Sequence, residues 1–103
     1  MYKLIFYVPI DWVEQVKEAV FEAGAGSYGN YDRCSWQVLG EGQFRPLAGS
    51  KPFIGNINTL EVVPEYRVET LVKENNIKSV LAALINAHPY ETPAYDVMVC
   101  VSL

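Results

Sequence analysis

Residues 3–26 read KLIFYVPIDWVEQVKEAVFEAGAG, and the change of rhythm inside this stretch decides the fold. Leu4, Ile5, Phe6, Tyr7 and Val8 are apolar on both alternating faces, the pattern of a strand covered on both sides. Pro9 stops the strand, and Asp11 with Glu14 three residues later has the form of an N-cap and its capping-box partner. From there the period becomes helical. Trp12, Val16, Ala19, Val20 and Ala23 form one apolar stripe, while Glu14, Lys17, Glu18 and Glu22 take the opposite side. Gly24 supplies the stop.

The same strand-then-helix logic extends along the chain. Residues 31–39, with Cys34, Trp36 and Val38, predict a second strand. Gly40, Glu41 and Gly42 predict a turn, after which residues 43–47 return as a hairpin arm. Residues 48–56 read as a loop anchored by Phe53 and Ile54. Residues 59–63 and 67–72 read as two strand pieces interrupted by Pro64 and Glu65. Asn76 is positioned to cap a second helix with Ile77, Val80, Leu81, Leu84 and Ile85 at helical spacing, ending before His88 and Pro89. Residues 94–103 alternate cleanly, with Tyr95, Val97, Val99, Val101 and Leu103 on one face, as a final strand. This order predicts an α+β domain of the ferredoxin-like, split βαβ type: an antiparallel sheet, two helices on one face and a β-hairpin extension. The other face would expose Ile5 and Tyr7 with some of Met98 and Cys100, so self-association is expected.

Composition narrows the function classes. With 103 residues, half of them hydrophobic, the chain makes one domain, residues 1–103, that buries roughly two-thirds of its surface. Eight basic residues against twelve acidic ones give a net charge of −4 without any basic run, which argues against nucleic acid as a partner. No apolar run approaches the roughly 20 residues of a membrane span. Only Lys3 precedes the first apolar run and no small-residue cleavage site follows it, so a cytoplasmic location is expected. Cys34 and Cys100 form neither a disulfide framework nor a zinc-type spacing, and read as small buried hydrophobes.

Two local motifs remain. Gly24, Gly26 and Gly29 spell GxGxxG, yet they follow a helix and enter a strand, the reverse of the dinucleotide fingerprint. A helix stop and turn explains them, and a turn of this kind also offers backbone N–H groups to an anion, with Asn30 adding side-chain donors. His88, Pro89, Tyr90 and Glu91 cluster after the second helix; His88 either satisfies the last helical carbonyls or pairs with Glu91 in metal binding or proton transfer. Both motifs leave a helix C-terminus, and they are expected to converge at one end of the sheet. No serine has a nucleophile-elbow context.

Taken as blocks, residues 24–35 (GAGSYGNYDRCS), 42–47 (GQFRPL), 52–55 (PFIG) and 87–91 (AHPYE) are similar to the PII/CutA-like domain inserted in the Nif-three-like proteins, the GTP cyclohydrolase type-2 homologues. The resemblance implies the PII/CutA-like variety of the ferredoxin-like fold. It also implies that the family's dinuclear metal site belongs to flanking parts of the longer chains, so no catalysis is expected here. Only Gly29, Asn30, Tyr31 and Cys34 of the GNYxxC block and His88, Tyr90 and Glu91 of the HPYE block match, neither with an assigned chemistry. With Gly26 they are the candidate ligand-binding residues.

The expected function is a non-enzymatic, self-associating module that binds a small ligand, a metal ion or a partner protein in a regulatory role. Analogy with PII and CutA favours a trimer, and a dimer through the open sheet face competes with it. One alternative is a metal-assisted hydrolase with His88, Glu91 and Cys34 as ligands at a subunit boundary; another is a purely structural oligomerisation unit. The sequence names no cofactor.

Overall fold

Strand β1 (Tyr2–Pro9) leads through a 3-10 turn (Ile10–Trp12) into helix α1 (Val13–Glu22), and β2 (Ser35–Phe44) and β3 (Glu61–Val72) follow. A second 3-10 turn (Glu74–Asn76), helix α2 (Ile77–Ala87) and β4 (Tyr95–Val99) complete the order. The computed structural model describes residues 1–101; the last strand, expected over 94–103, spans only Tyr95–Val99, Ala94, Cys100 and Val101 are not strand, and Ser102 and Leu103 lie outside the described residues. The four strands form one sheet in the order β2-β3-β1-β4 with every neighbour antiparallel. This is the ferredoxin-like α+β arrangement that the alternating periods predict.

The core follows from the pleat. Leu4, Phe6 and Val8 of β1 meet Val68 and Val72 of β3, and Val13, Val16, Val20, Val80 and Leu84 of the helices close over them. Each such side chain contributes about 1.5–3 kcal/mol by leaving water. Ile5 points to the other face and yet is only 5% exposed, against the expectation that it faces solvent. Glu69 stands directly opposite it and is held by Lys3 at 3.3 Å and Arg67 at 3.5 Å, so charged side chains with long aliphatic stems surround this position. Met98, on the same face at the sheet edge, is 53% exposed as expected.

Neither expected cap forms. Asp11 and Asn76 fall inside or at the end of 3-10 turns that begin at Ile10 and Glu74, and no side-chain cap bond is made. The helix stop at Gly24 does form. With φ +117°, Gly24 donates its N–H to Phe21 O at 3.0 Å and Ala25 donates to Val20 O at 3.0 Å, the paired bonds of a Schellman motif.

The middle of the chain differs most from expectation. Gly40, Glu41 and Gly42 make no turn; they pair with Glu65, Pro64 and Val63 inside an unbroken β2. The two expected strand pieces are likewise one strand, β3, with Pro64 within it. Pro64 is tolerated because β1 ends opposite Glu65, so residues 61–64 have only β2 beside them. The hairpin extension is therefore the β2–β3 ribbon itself, and the twelve residues of β3, at ~3.4 Å each, account for most of the molecule's 46 Å length. Residues 45–60 close the ribbon and fold back, with Phe53 meeting Trp12 edge-on at 5.7 Å between ring centroids.

The second strand, expected from residue 31, begins only at Ser35. Tyr28 and Tyr31 exchange backbone bonds of 2.9 and 3.0 Å around Gly29 (φ +57°) and Asn30, a two-residue hairpin of its own. Gly26 sits beneath it with φ +82°, and a Cβ there would lie 2.9 Å from Cys34 N and 3.1 Å from Arg33 Cα. Both atoms belong to backbone that has no room to give. Gly26→Ala is therefore expected to cost about 2 kcal/mol or more, whereas Gly29→Ala, whose Cβ meets open space, costs about 1 kcal/mol. Urea unfolding of the two variants checks the order, which a larger loss for Gly29→Ala would reverse.

Candidate functional site

The topology separates the two motifs. Gly26 donates its N–H to Leu71 O at 2.8 Å, and Leu71 pairs with Lys3 near the start of β1. His88 contacts Tyr7 near the other end, so roughly 14 Å of strand lies between them. The expected convergence does not occur. Successive helices in this fold run antiparallel to each other, which sends their C-termini to opposite ends of the sheet.

At the glycine end the backbone is spent on itself. The Gly26 carbonyl accepts Cys34 N–H at 2.9 Å, and the Cys34 carbonyl accepts the buried Thr70 hydroxyl at 2.7 Å. Asn30 and Tyr31 stand at the exposed hairpin tip, with Tyr31 75% exposed. Cys34 is a half-buried free thiol. It borders an open depression of about 350 Å³ with Lys3, Trp36 and Glu69.

The HPYE end is built differently. Pro89 forbids further helix, so His88 turns extended (φ −72°, ψ +136°) and its ring swings toward the sheet. There β1 has a carbonyl to satisfy. Pairing with β4 stops at Phe6 opposite Tyr95, and the Tyr7 carbonyl has no strand partner on that side. His88 Nε2–H donates to it at 2.7 Å, while Nδ1 accepts Tyr90 N–H at 3.1 Å. These partners assign the neutral, Nε2-protonated tautomer. His88 is only 6% exposed, and burial holds its pKa below the ordinary 6.5 against the opposing pull of the Tyr7 carbonyl and the Glu65 charge.

That bond aims Tyr90. Its ring lies 4.9 Å from His88 and 5.9 Å from Phe44 at β2's end, and its hydroxyl donates to Glu65 Oε2 at 2.6 Å. Burial first, then the carboxylate beside it, hold the phenol well above its usual range. The other oxygen of Glu65 lies directly over Gly42, in the space a Cβ would fill. Tyr7, Phe44, Glu65 and Tyr90 thereby border one depression of about 230 Å³. Glu91 points away, its two oxygens accepting Lys51 N–H at 3.1 and 3.2 Å and tying residues 45–60 to the turn.

The predicted residues of this end thus have three different tasks. His88 anchors, Tyr90 lines the depression and Glu91 holds the loop. Within one chain a metal set of His88, Glu91 and Cys34 is not assembled: both ring nitrogens of His88 are engaged and Cys34 is at the opposite end. Among the described residues no three of His, Cys, Asp and Glu gather around one point. Glu65, Phe44, Tyr7 and Gly42 were missed as site residues because each reads in sequence as strand or turn.

Two consequences are measurable. The chain has a single histidine, so the window just below pH 6.5 reports on His88 alone. With a depressed folded pKa, the unfolded chain binds the proton first; stability is full above 6.5 and falls as pH drops toward 5. Thermal melts should show that fall in the wild type and lose it in His88→Gln. Tyr90→Phe, which removes the bond to a carboxylate, is expected to cost about 1–2 kcal/mol in chemical denaturation and to leave the His88 window in place.

No family model matches the chain. It is 48% identical over 96 residues to a GTP cyclohydrolase 1 type 2 homolog of Halalkalibacterium halodurans, covering 93% of this chain and 26% of that protein. The protein of the same name in Bacillus subtilis is 47% identical over 95 residues, covering 92% of the chain and again 26% of the relative. The chain therefore spans about a quarter of the length of these curated relatives. Among solved structures, a Bacillus cereus protein related to NIF3 superposes with a TM-score of 0.81 at 38% identity, over 94% of this chain and 24% of that one. The periplasmic divalent cation tolerance protein CutA of Archaeoglobus fulgidus superposes at 0.68 with 14% identity, over 97% of this chain and 84% of its own, a likeness of fold. The chain is homologous to a segment, about a quarter, of the GTP cyclohydrolase 1 type 2 homologue (Nif3-like) proteins, and its α+β fold is that of the CutA/PII-like structures.

Proposed function

We propose that this is a non-catalytic, self-associating CutA/PII-like domain with a regulatory role, whose small-molecule binding part is the HPYE end. The observation that carries the self-association is the condition of the two sheet edges. Strand β2 has one charged residue in ten and β4 one in five, although natural edges are usually guarded by charge. Trp36 and Leu39 on β2 are more than half exposed, and Val99, the last residue of β4, is 78% exposed. Apolar side chains on unpaired backbone match what a second copy of the same sheet supplies.

The binding part rests on the depression between Tyr7, Phe44, Glu65 and Tyr90; a neighbouring recess that shares Phe44 and Tyr90 is lined by the loop that Lys51 and Glu91 hold in place. The cyclohydrolase named in the relatives belongs, in this reading, to their longer chains. The glycine end, with its backbone internally paired, serves the fold and the association surface, and a trimer is the favoured assembly.

Native mass spectrometry of freshly purified protein tests the reading, because subunit number and retained mass appear together. A trimer or dimer is expected. The double change Met98→Lys with Val99→Lys, at side chains that are 53% and 78% exposed, should leave the melting temperature within a few degrees while shifting the population to monomer. A wild-type monomer at tens of micromolar would sink the proposal.

A further inference from the structure

We propose that the depression at the HPYE end takes an organic cation, an ammonium or guanidinium group seated between the Glu65 carboxylate and the rings of Tyr7, Phe44 and Tyr90. This deepens the binding reading above and rests on it. The starting observation is a carboxylate without a counter-charge. Glu65 is half-buried, its one side-chain hydrogen bond comes from the neutral Tyr90 hydroxyl, and none of the ion pairs among the described residues includes it.

No basic side chain nearby pairs with it, although Arg67 borders an adjoining recess with Tyr7, Gly42 and Glu65. Arg67, two residues along the same face of β3, is drawn to Glu69 at 3.5 Å. His88 presents no positive charge, since its Nδ1 lone pair receives Tyr90 N–H and burial opposes a second proton. A negative charge in such a place is costly to leave unpaired.

The surroundings select which cation fits. The rings of Phe44 and Tyr90 stand 5.9 Å apart at a tilt of 60°, and Tyr7 borders the same depression. Aromatic faces attract soft, weakly hydrated cations, whereas a small divalent ion prefers several oxygen ligands, and one carboxylate does not supply them. Gly42 matters here because its missing side chain lets the carboxylate lie across β2. At about 230 Å³ the space is below the range of drug-sized ligands, so the head group of a small amine fits it. The cation arrives either as a free amine or as a lysine or arginine of a second copy.

The test is amide NMR of labelled protein titrated with tetramethylammonium chloride and with methylguanidinium chloride. Sodium chloride at equal ionic strength and neutral tert-butanol serve as controls, with Gly42, Glu65 and Thr92 as reporters. Saturable shifts are expected in the wild type, at least tenfold weaker in Glu65→Gln, which keeps an acceptor for Tyr90. Phe44→Leu, which keeps the charge and removes a ring, should weaken binding severalfold and stands in if Glu65→Gln fails to fold. Absent amine shifts together with loss of subunits in Glu65→Gln would assign the cation to the neighbouring copy and support the proposal. Equal binding of tert-butanol would overturn the cation while sparing the site. Silence from every probe with an unchanged subunit number would overturn both.

Discussion

The carbonyl of Tyr7 sets the terms for one end of this molecule. Strand β1 is central, paired on both sides, and a central strand cannot leave buried backbone groups unmet. Strand β4 reaches only as far as Phe6, so the next carbonyl on that side needs a partner from outside the sheet. His88 provides it, and one ring nitrogen committed as donor leaves the other as acceptor. That second nitrogen takes the Tyr90 amide, which fixes the turn and places the phenol over Glu65. A single unfilled backbone position thus propagates through three side chains to the far side of β3.

The topology explains why the two ends are unlike. An antiparallel βαββαβ chain delivers one helix C-terminus to each end of the sheet. At the start of β1, the chain leaving α1 must still cross to the β2 edge, and it does so with a Schellman stop and a hairpin whose backbone groups bond one another and Leu71. At the other end, the chain leaving α2 needs only to step to β4 beside β1. That shorter passage is rigidified by Pro89 and Pro93 and leaves side chains free to line a surface.

Where the sequence carried a periodic signal, the fold was legible. Both helices, the first and last strands and the stop at Gly24 follow from spacing that any burial against one sheet imposes, and four blocks of residues pointed to the family. The ribbon was misread because Gly40, Gly42 and Pro64 are turn formers by local preference, and long-range pairing of β2 with β3 overrides that preference. The capping residues failed for a related reason: each helix enters through a 3-10 turn, so the residue that looks like a cap is already inside a turn.

The candidate site was half legible, and the missing half has a common cause. His88, Tyr90 and Glu91 stand together in sequence, so a polar cluster after a helix drew notice. Glu65 and Gly42 reach the same place from two strands, where an acidic residue after a proline and a glycine after another acid each look like interruptions. Their meaning is relational: Gly42 matters because Glu65 is its diagonal neighbour across the ladder, and that register is fixed by the pairing of β2 with β3 rather than by either segment. Periodicity reports what each element buries, and a charge left without a partner becomes visible only when the elements are brought together. The Glu65 carboxylate is therefore a product of the fold's register, as His88's tautomer is a product of the length of β4.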